Sequence, residues 1–257
     1  MNRFPLLCVL AFLLPWVATA DNAGLEGEAA ERYAQAIVAE NNLRSQDALE
    51  LFLAVEKLAP DNAQVLQKIA QQYSDSTVDY PDEDKQLELL ENALTYAKRA
   101  VAVAPEAPIN VLSVAITKGK IASLGSNQAK VESAREIKAD ARRAIELDPE
   151  YAWAHHVLGR WHREVDSLGT IARFFTRMLY GGLPEASVEE AIFHLKKATE
   201  LDPGGLSHFL ELGFAYAAAG EGDLARQNFE IGLSMPSREK HDDAAKDRAR
   251  RALEKMR

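Results

Sequence analysis
Apolar and small residues recur along this chain at helical spacing, and the runs they form keep ending on the same signature. Leu58-Ala59-Pro60-Asp61, Val103-Ala104-Pro105, Leu147-Asp148-Pro149-Glu150 and Leu201-Asp202-Pro203 each follow an Ala-rich amphipathic stretch. Proline has no N–H and excludes helix at the residue before it, so each signature closes a helix. Three residues beyond each proline a new run begins with one shared spacing. Leu66, Ile69, Ala70 and Tyr73 follow Pro60, and Val111, Val114 and Ala115 follow Pro105. His155, Leu158, Gly159 and His162 follow Pro149, and Phe209, Leu212, Gly213 and Tyr216 follow Pro203. The second run of each unit carries Ala48, Phe52, Val55; Ala93, Ala97, Ala100; Ile137, Ala141, Ala144; Ala191, Leu195, Ala198; and Ala225, Phe229, Gly232. Small residues let two helices approach while large ones fill the gap, which gives the alternation a packing reason.

With Leu-Gly, Tyr, Ala, Phe, Ala and Pro at these offsets, the units resemble the tetratricopeptide repeat. The fold expected is all-α: a right-handed helical solenoid of about five helix pairs, starting near Ala29, Ala63, Pro108, Ala152 and Leu206. A basic amphipathic helix over 239–256 serves as the capping helix. Spacing between the prolines is uneven, at 45, 44 and 54 residues, which places insertions inside the middle units. The stretch from Ser74 to Asp84 reads as an acidic loop, and that around Leu124 to Gln128 as an extended hairpin. Within the insertion 165–186, Ile171, Phe174, Phe175, Met178 and Leu179 share one helical face, closed by Gly181-Gly182. No alternating strand pattern of useful length occurs, so residues 21–257 read as a single solenoid domain.

Residues 1–20 read as a signal peptide: Arg3, an apolar stretch from Phe4 to Val17, and the small-residue site Ala18-Thr19-Ala20 before Asp21. Fourteen residues are short for a membrane span, and an uncleaved anchor is the alternative. The protein is therefore expected to be exported, to a periplasm or as a secreted protein. Cys8, the only cysteine, lies inside this stretch. The mature chain then has no disulfide, thiol nucleophile or cysteine-ligated metal. Its charge is −9 for the whole sequence, and −10 once Arg3 is removed. A bulk field of that sign disfavours nucleic acid, whose binding rests on phosphate neutralisation. Candidate local basic patches lie at 246–251 and among Arg160, Arg163, Arg173 and Arg177.

The run from His155 through Leu158-Gly159-Arg160-Trp161 to Val165, the aromatic insertion, and Gly182-Leu183-Pro184-Glu185-Ala186-Ser187-Val188-Glu189-Glu190-Ala191 resemble the regulator of microtubule dynamics family in content and order. The resemblance extends more weakly over Ala29 to Arg257. It implies a helical binding module without enzymatic activity. In eukaryotic members it implies association with microtubules and organelle membrane contacts, and in some a link to lipid binding. An export signal departs from that pattern, since an exported protein does not meet tubulin, and a negative chain fits poorly with tubulin's acidic surface.

No catalytic signature accompanies this architecture. There is no Gly-rich phosphate loop, HExxH, GxSxG or paired-carboxylate motif. His155, His156, His162 and Glu164 form the densest polar constellation, but His155 and His162 lie about 10.5 Å apart along a helix, too far for one ion. They read as histidines packed against the partner helix, and no metal or cofactor is expected. Helical angle assigns the groove face instead: Ile109, Leu112 and Ile116; Trp153, His156, Arg160 and Arg163; and Leu210 and Phe214. The third and fifth of the units' first helices are apolar all round, so either the insertion helix folds over them or they bind something apolar. A scaffold that clasps a protein or peptide partner is the first expectation. A carrier or sensor of a lipid or other apolar ligand, with Arg160 and Arg163 as headgroup partners, is the second.

Overall fold
The computed structural model describes residues 23–256; the expected signal peptide lies outside the described residues. Among those residues there are twelve α-helices and no strand. They are α1 (Gly27–Asn41), α2 (Ser45–Leu58), α3 (Ala63–Ser76), α4 (Glu83–Val103), α5 (Pro108–Leu124), α6 (Asn127–Leu147), α7 (Ala152–Asp166), α8 (Thr170–Tyr180), α9 (Val188–Leu201), α10 (Leu206–Ala218), α11 (Gly222–Ser234) and α12 (Asp242–Lys255). The five pairs α1/α2, α3/α4, α5/α6, α7/α9 and α10/α11 stack in order as a tetratricopeptide-like solenoid, with α12 packed on α10 and α11.

The proline signatures act as local sequence predicts. α2, α4, α6 and α9 each end two residues before their proline, and the intervening Ala59, Ala104, Asp148 and Asp202 share a non-helical backbone with φ of −141°, −135°, −145° and −129°. The helix starts are capped where the chain supplies an oxygen: Asn62 accepts from the N–H groups of Gln64 and Val65, Asp82 from Lys85, and Ser187 from Glu190. The small residues of the second helices are buried at the pair interfaces: Ala48, Ala93, Ala141, Ala191 and Ala225 have no exposed surface. Close approach is tight against backbone at Gly159, where a Cβ would lie 2.7 Å from Leu195 Cγ and 3.0 Å from the Ala191 carbonyl. Only glycine fits there.

Two insertions differ from expectation. The acidic stretch after Ser74 is not a loop throughout: α3 continues to Ser76 and a short 3-10 helix covers Thr77–Asp79. The second is absorbed as extra turns, α5 and α6 being 17 and 21 residues long with only Gly125 and Ser126 between them. The insertion helix, α8, does not fold over α5 and α10; it packs on α6. What covers those two helices is the stack itself, because each first helix touches its neighbours on both sides.

One long-range feature has no counterpart in the repeat pattern. Residues 235–241, between α11 and α12, run back to the N-terminal units. Lys240 Nζ lies 2.8 Å from Asp79 Oδ1 and donates to the Leu43 carbonyl at 3.3 Å. His241 Nε2 lies 3.3 Å from Asp75 Oδ1 and 2.9 Å from Lys120 Nζ on α5. This strap ties the end of the solenoid to its beginning. Asp242 holds its shape by accepting at 2.8 Å from both the Arg238 and Glu239 N–H groups.

Candidate functional site
The residues expected on the groove face divide. Ile109 and Arg160 are exposed, and Ile116, Trp153, Arg163 and Phe214 are half-buried. Leu112 and Leu210 are 1% and 0% exposed, and His156 is buried, so these three are not groove residues. Leu112 packs in a cluster with Ala141, Ala144, Ala154 and Leu158, and Leu210 in one with Leu206, Ala225 and Phe229. The side chain at this point of a first helix is caught between its own partner helix and the next unit. The expected continuous apolar surface is thus broken, because stacking consumes Leu112, His156 and Leu210 as core.

A polar site sits where α7, α10 and α12 converge. Glu211 of α10 is 2% exposed, yet both carboxylate oxygens are bound: Oε2 by Arg163 Nη2 of α7 at 2.9 Å, and Oε1 by Arg248 Nη2 of α12 at 2.7 Å. Desolvation alone raises a carboxyl's pKa, but Arg163, Arg160 and Arg248 outweigh it and hold Glu211 down to about 2. Both paired guanidiniums also lie against the Phe214 ring, 5.6 and 5.2 Å from its centre, and Phe214 in turn packs on Phe229 at 4.8 Å. A cavity of about 290 Å³ opens beside them, lined by Arg163, Phe214, Arg248, Arg251, Ala252 and Lys255. Four cations line it. Glu211 lies beneath the two arginines, Glu164 on α7 also approaches Arg163 Nη2 at 3.4 Å from the exposed side, and the enclosed Nε of Arg163 makes no hydrogen bond among the described residues. By charge its lining is complementary to an anionic group, with an apolar floor supplied by Phe214.

Behind this pocket runs a seam of imidazoles. His156 of α7 and His208 of α10 meet through their Nδ1 atoms at 2.9 Å, with Trp153 4.8 Å from both rings. Burial pushes His156 down to about 3, and also lowers His208. A neutral pair can share one proton between the two Nδ1 atoms; two imidazolium rings there would repel. Between α7 and α9, His155 meets His194 at 3.0 Å through Nδ1 and His162 stacks on His194 at 6.1 Å. Burial, then the neighbouring histidines, lowers His194 to about 4. His155 and His162 thus face the partner helix. No group of His, Cys, Asp and Glu able to hold a metal ion occurs among the described residues.

Sequence reasoning placed Arg160, Arg163 and Phe214 on the groove face and Arg248 and Arg251 in a separate candidate basic patch, but did not join the two and missed Glu211 and Lys255. The signal available was the Lys246-to-Arg251 basic run, whose periodicity gives α12 one cationic face; its partner on α10 is set only by how the capping helix docks.

Comparison with known proteins agrees with this architecture. A family model described as Regulator of microtubule dynamics protein 1-3 matches residues 32–257. Regulator of microtubule dynamics protein 3 of Rattus norvegicus is 27% identical over 201 residues, spanning 77% of this chain and 42% of that protein. Protein 2 of Bos taurus is 24% identical over 209 residues, spanning 80% of this chain and 51% of that one. The chain therefore spans about half or less of these two relatives. Among solved structures, a thermophilic TPR protein of Thermus thermophilus superposes with a TM-score of 0.62 at 18% identity, over 88% of this chain and 98% of its own. The match across the repeats, the insertion and the capping helix places this chain in the regulator of microtubule dynamics family.

Proposed function
We propose that the protein is an exported, non-enzymatic scaffold that binds an acidic segment of a partner protein in the pocket between α7, α10 and α12. The observation that carries this reading is the pair Arg163 and Arg248, held by buried Glu211 over Phe214 with Arg251 and Lys255 beside them. Guanidiniums fixed in advance lose little freedom when they meet a carboxylate, and their planar forks suit it. The alternative of an apolar-ligand carrier draws on apolar first helices, on Arg160 and Arg163 as headgroup partners and on the family resemblance; burial of Leu112 and Leu210 weakens the first of these. Export is supported by the charge and apolar pattern of residues 1–20. A microtubule role, carried in the relatives' names, does not fit an exported chain.

The test is fluorescence anisotropy with a labelled Glu- and Asp-rich peptide at low and high salt. Arg251→Glu combined with Lys255→Glu, both exposed positions, is expected to weaken binding about tenfold or more without changing the melt. Binding unchanged by that variant places the acidic segment elsewhere. Export is checked separately by N-terminal sequencing, which should begin at Asp21.

A further inference from the structure
Helix α8 carries an apolar face that the fold leaves open. Ile171, Phe174, Phe175, Met178 and Leu179 are 49–75% exposed, although they form the most amphipathic face in the chain. That face does not hold the helix in place; polar contacts to main-chain carbonyls do. At its start, Arg173 donates to the carbonyls of Val165 and Leu168, each at 3.0 Å, and pairs with Asp166 at 3.1 Å. At its end, Arg135 of α6 donates to the carbonyls of Tyr180 and Gly182, and Gly181 closes the last turn at φ 76°. The helix is therefore positioned in advance with its apolar side outward.

We propose that α8 docks the protein on an anionic lipid surface, lying in the plane of the headgroups. Charge decides between possible occupants. From Ser167 to Pro184 there is no Asp or Glu and there are two arginines, in a chain of net charge −9. Arg177 forms no ion pair among the described residues, and Arg173 keeps part of its guanidinium exposed beside Asp166. Arg177, three residues on from Phe174 and beside the edge of a Phe- and Leu-bearing face, gives the composition of an interfacial helix, while Arg173 lies on the opposite side and anchors the helix. Eleven residues give a length of about 16 Å, enough to lie in the interface and too short to cross about 30 Å of hydrocarbon. A second copy offers no such complementarity, since its α8 brings the same Arg177, unpaired among the described residues.

The test is co-sedimentation of the full chain with vesicles of phosphatidylcholine alone, or with about 30 mol % phosphatidylglycerol. The comparison is with Phe174→Ser combined with Met178→Ser, and with Arg177→Glu; any contribution of the N-terminal apolar run is common to all three. Wild type is expected to sediment with the anionic vesicles, the serine variant to lose at least most of that binding, and Arg177→Glu to lose its dependence on phosphatidylglycerol. Thermal melts should coincide, because these side chains are exposed, and acidic-peptide binding should be unaffected. Equal sedimentation of wild type and serine variant overturns the proposal. So does self-association that the serine variant abolishes while vesicles capture neither, which assigns the face to a second copy.

Discussion
The ammonium of Lys240 lies 2.8 Å from the carboxylate of Asp79, joining the segment before the last helix to the second helix pair. Neither group is fully exposed, so the pair is worth more than a typical surface contact, on the order of 1 kcal/mol. Its mechanical consequence is larger, because a solenoid is otherwise held only by neighbouring units. Lys240→Glu is expected to lower the melting temperature by a few degrees and to increase the radius of gyration by small-angle scattering. The exchange Lys240→Asp with Asp79→Lys should restore both; an unchanged radius in Lys240→Glu would show that the strap does not set the curvature.

Gly159→Leu is expected to destabilise by about 3 kcal/mol or more, since the new side chain collides with Leu195 and with the α9 backbone at Ala191. Backbone cannot rotate away as a side chain can. The check is a denaturant melt, in which a midpoint equal to wild type would contradict the close crossing of α7 and α9.

Removing the buried carboxylate has a different signature from removing its partners. Glu211→Gln leaves Arg163 and Arg248 without the buried carboxylate they share, at a cost of about 3–5 kcal/mol. Arg248→Ala still leaves Arg163 to neutralise Glu211, and should cost less. Chemical denaturation of the two variants tests the order, and the reverse order would show that Glu211 is not the centre of the cluster.

Acid should destabilise the protein progressively. Burial lowers His155, His156, His162, His194 and His208 below the 6.5 of an unfolded imidazole, His194 to about 4 and His156 to about 3. The unfolded chain then binds more protons below 6.5, so the stability these neutral rings contribute is complete above that value. It is lost as pH falls towards 4 and 3. Glu211, lowered to about 2, contributes stability that is complete above 4.5 and is lost between 4.5 and 2. Glu239 acts in the opposite sense: desolvation, then Asp242, Asp75, Asp202 and Glu40, pushes it up to about 7, so protonation between 7 and 4.5 stabilises. Calorimetry in a Glu239→Gln background should therefore show the melting temperature falling steadily from pH 6.5 to 4. A flat profile over that range would contradict the neutral histidine seam.

Leu112→Asp and Leu210→Asp are expected to unfold or aggregate the chain, because each places a carboxylate in a closed apolar cluster. Phe214→Asp, half-buried and next to Arg163 and Arg248, should be tolerated better. Circular dichroism separates the two cases.

Helix starts show how much was legible locally. The repeat spacing predicts five units near Ala29, Ala63, Pro108, Ala152 and Leu206, and their first helices begin at Gly27, Ala63, Pro108, Ala152 and Leu206. Proline, cap and small-residue positions act within a few residues, so their effect is written in the chain. Groove membership was not legible in the same way. Leu112, Ile116, Leu210 and Phe214 all lie on the same predicted helical face, but whether such a position is core or surface depends on the next unit's approach.

The sequence by itself determined the repeat, the helix pairs, the insertion helix and the capping helix, because backbone geometry and amphipathic spacing are short-range constraints. Tertiary structure alone decided that α8 turns its apolar face outward, that Lys240 reaches Asp79, and that Arg163 and Arg248 converge on Glu211. Those contacts join residues that no local pattern relates. They depend on the small rotation of each unit on the last, summed along the stack, which sets where distant charges finally meet.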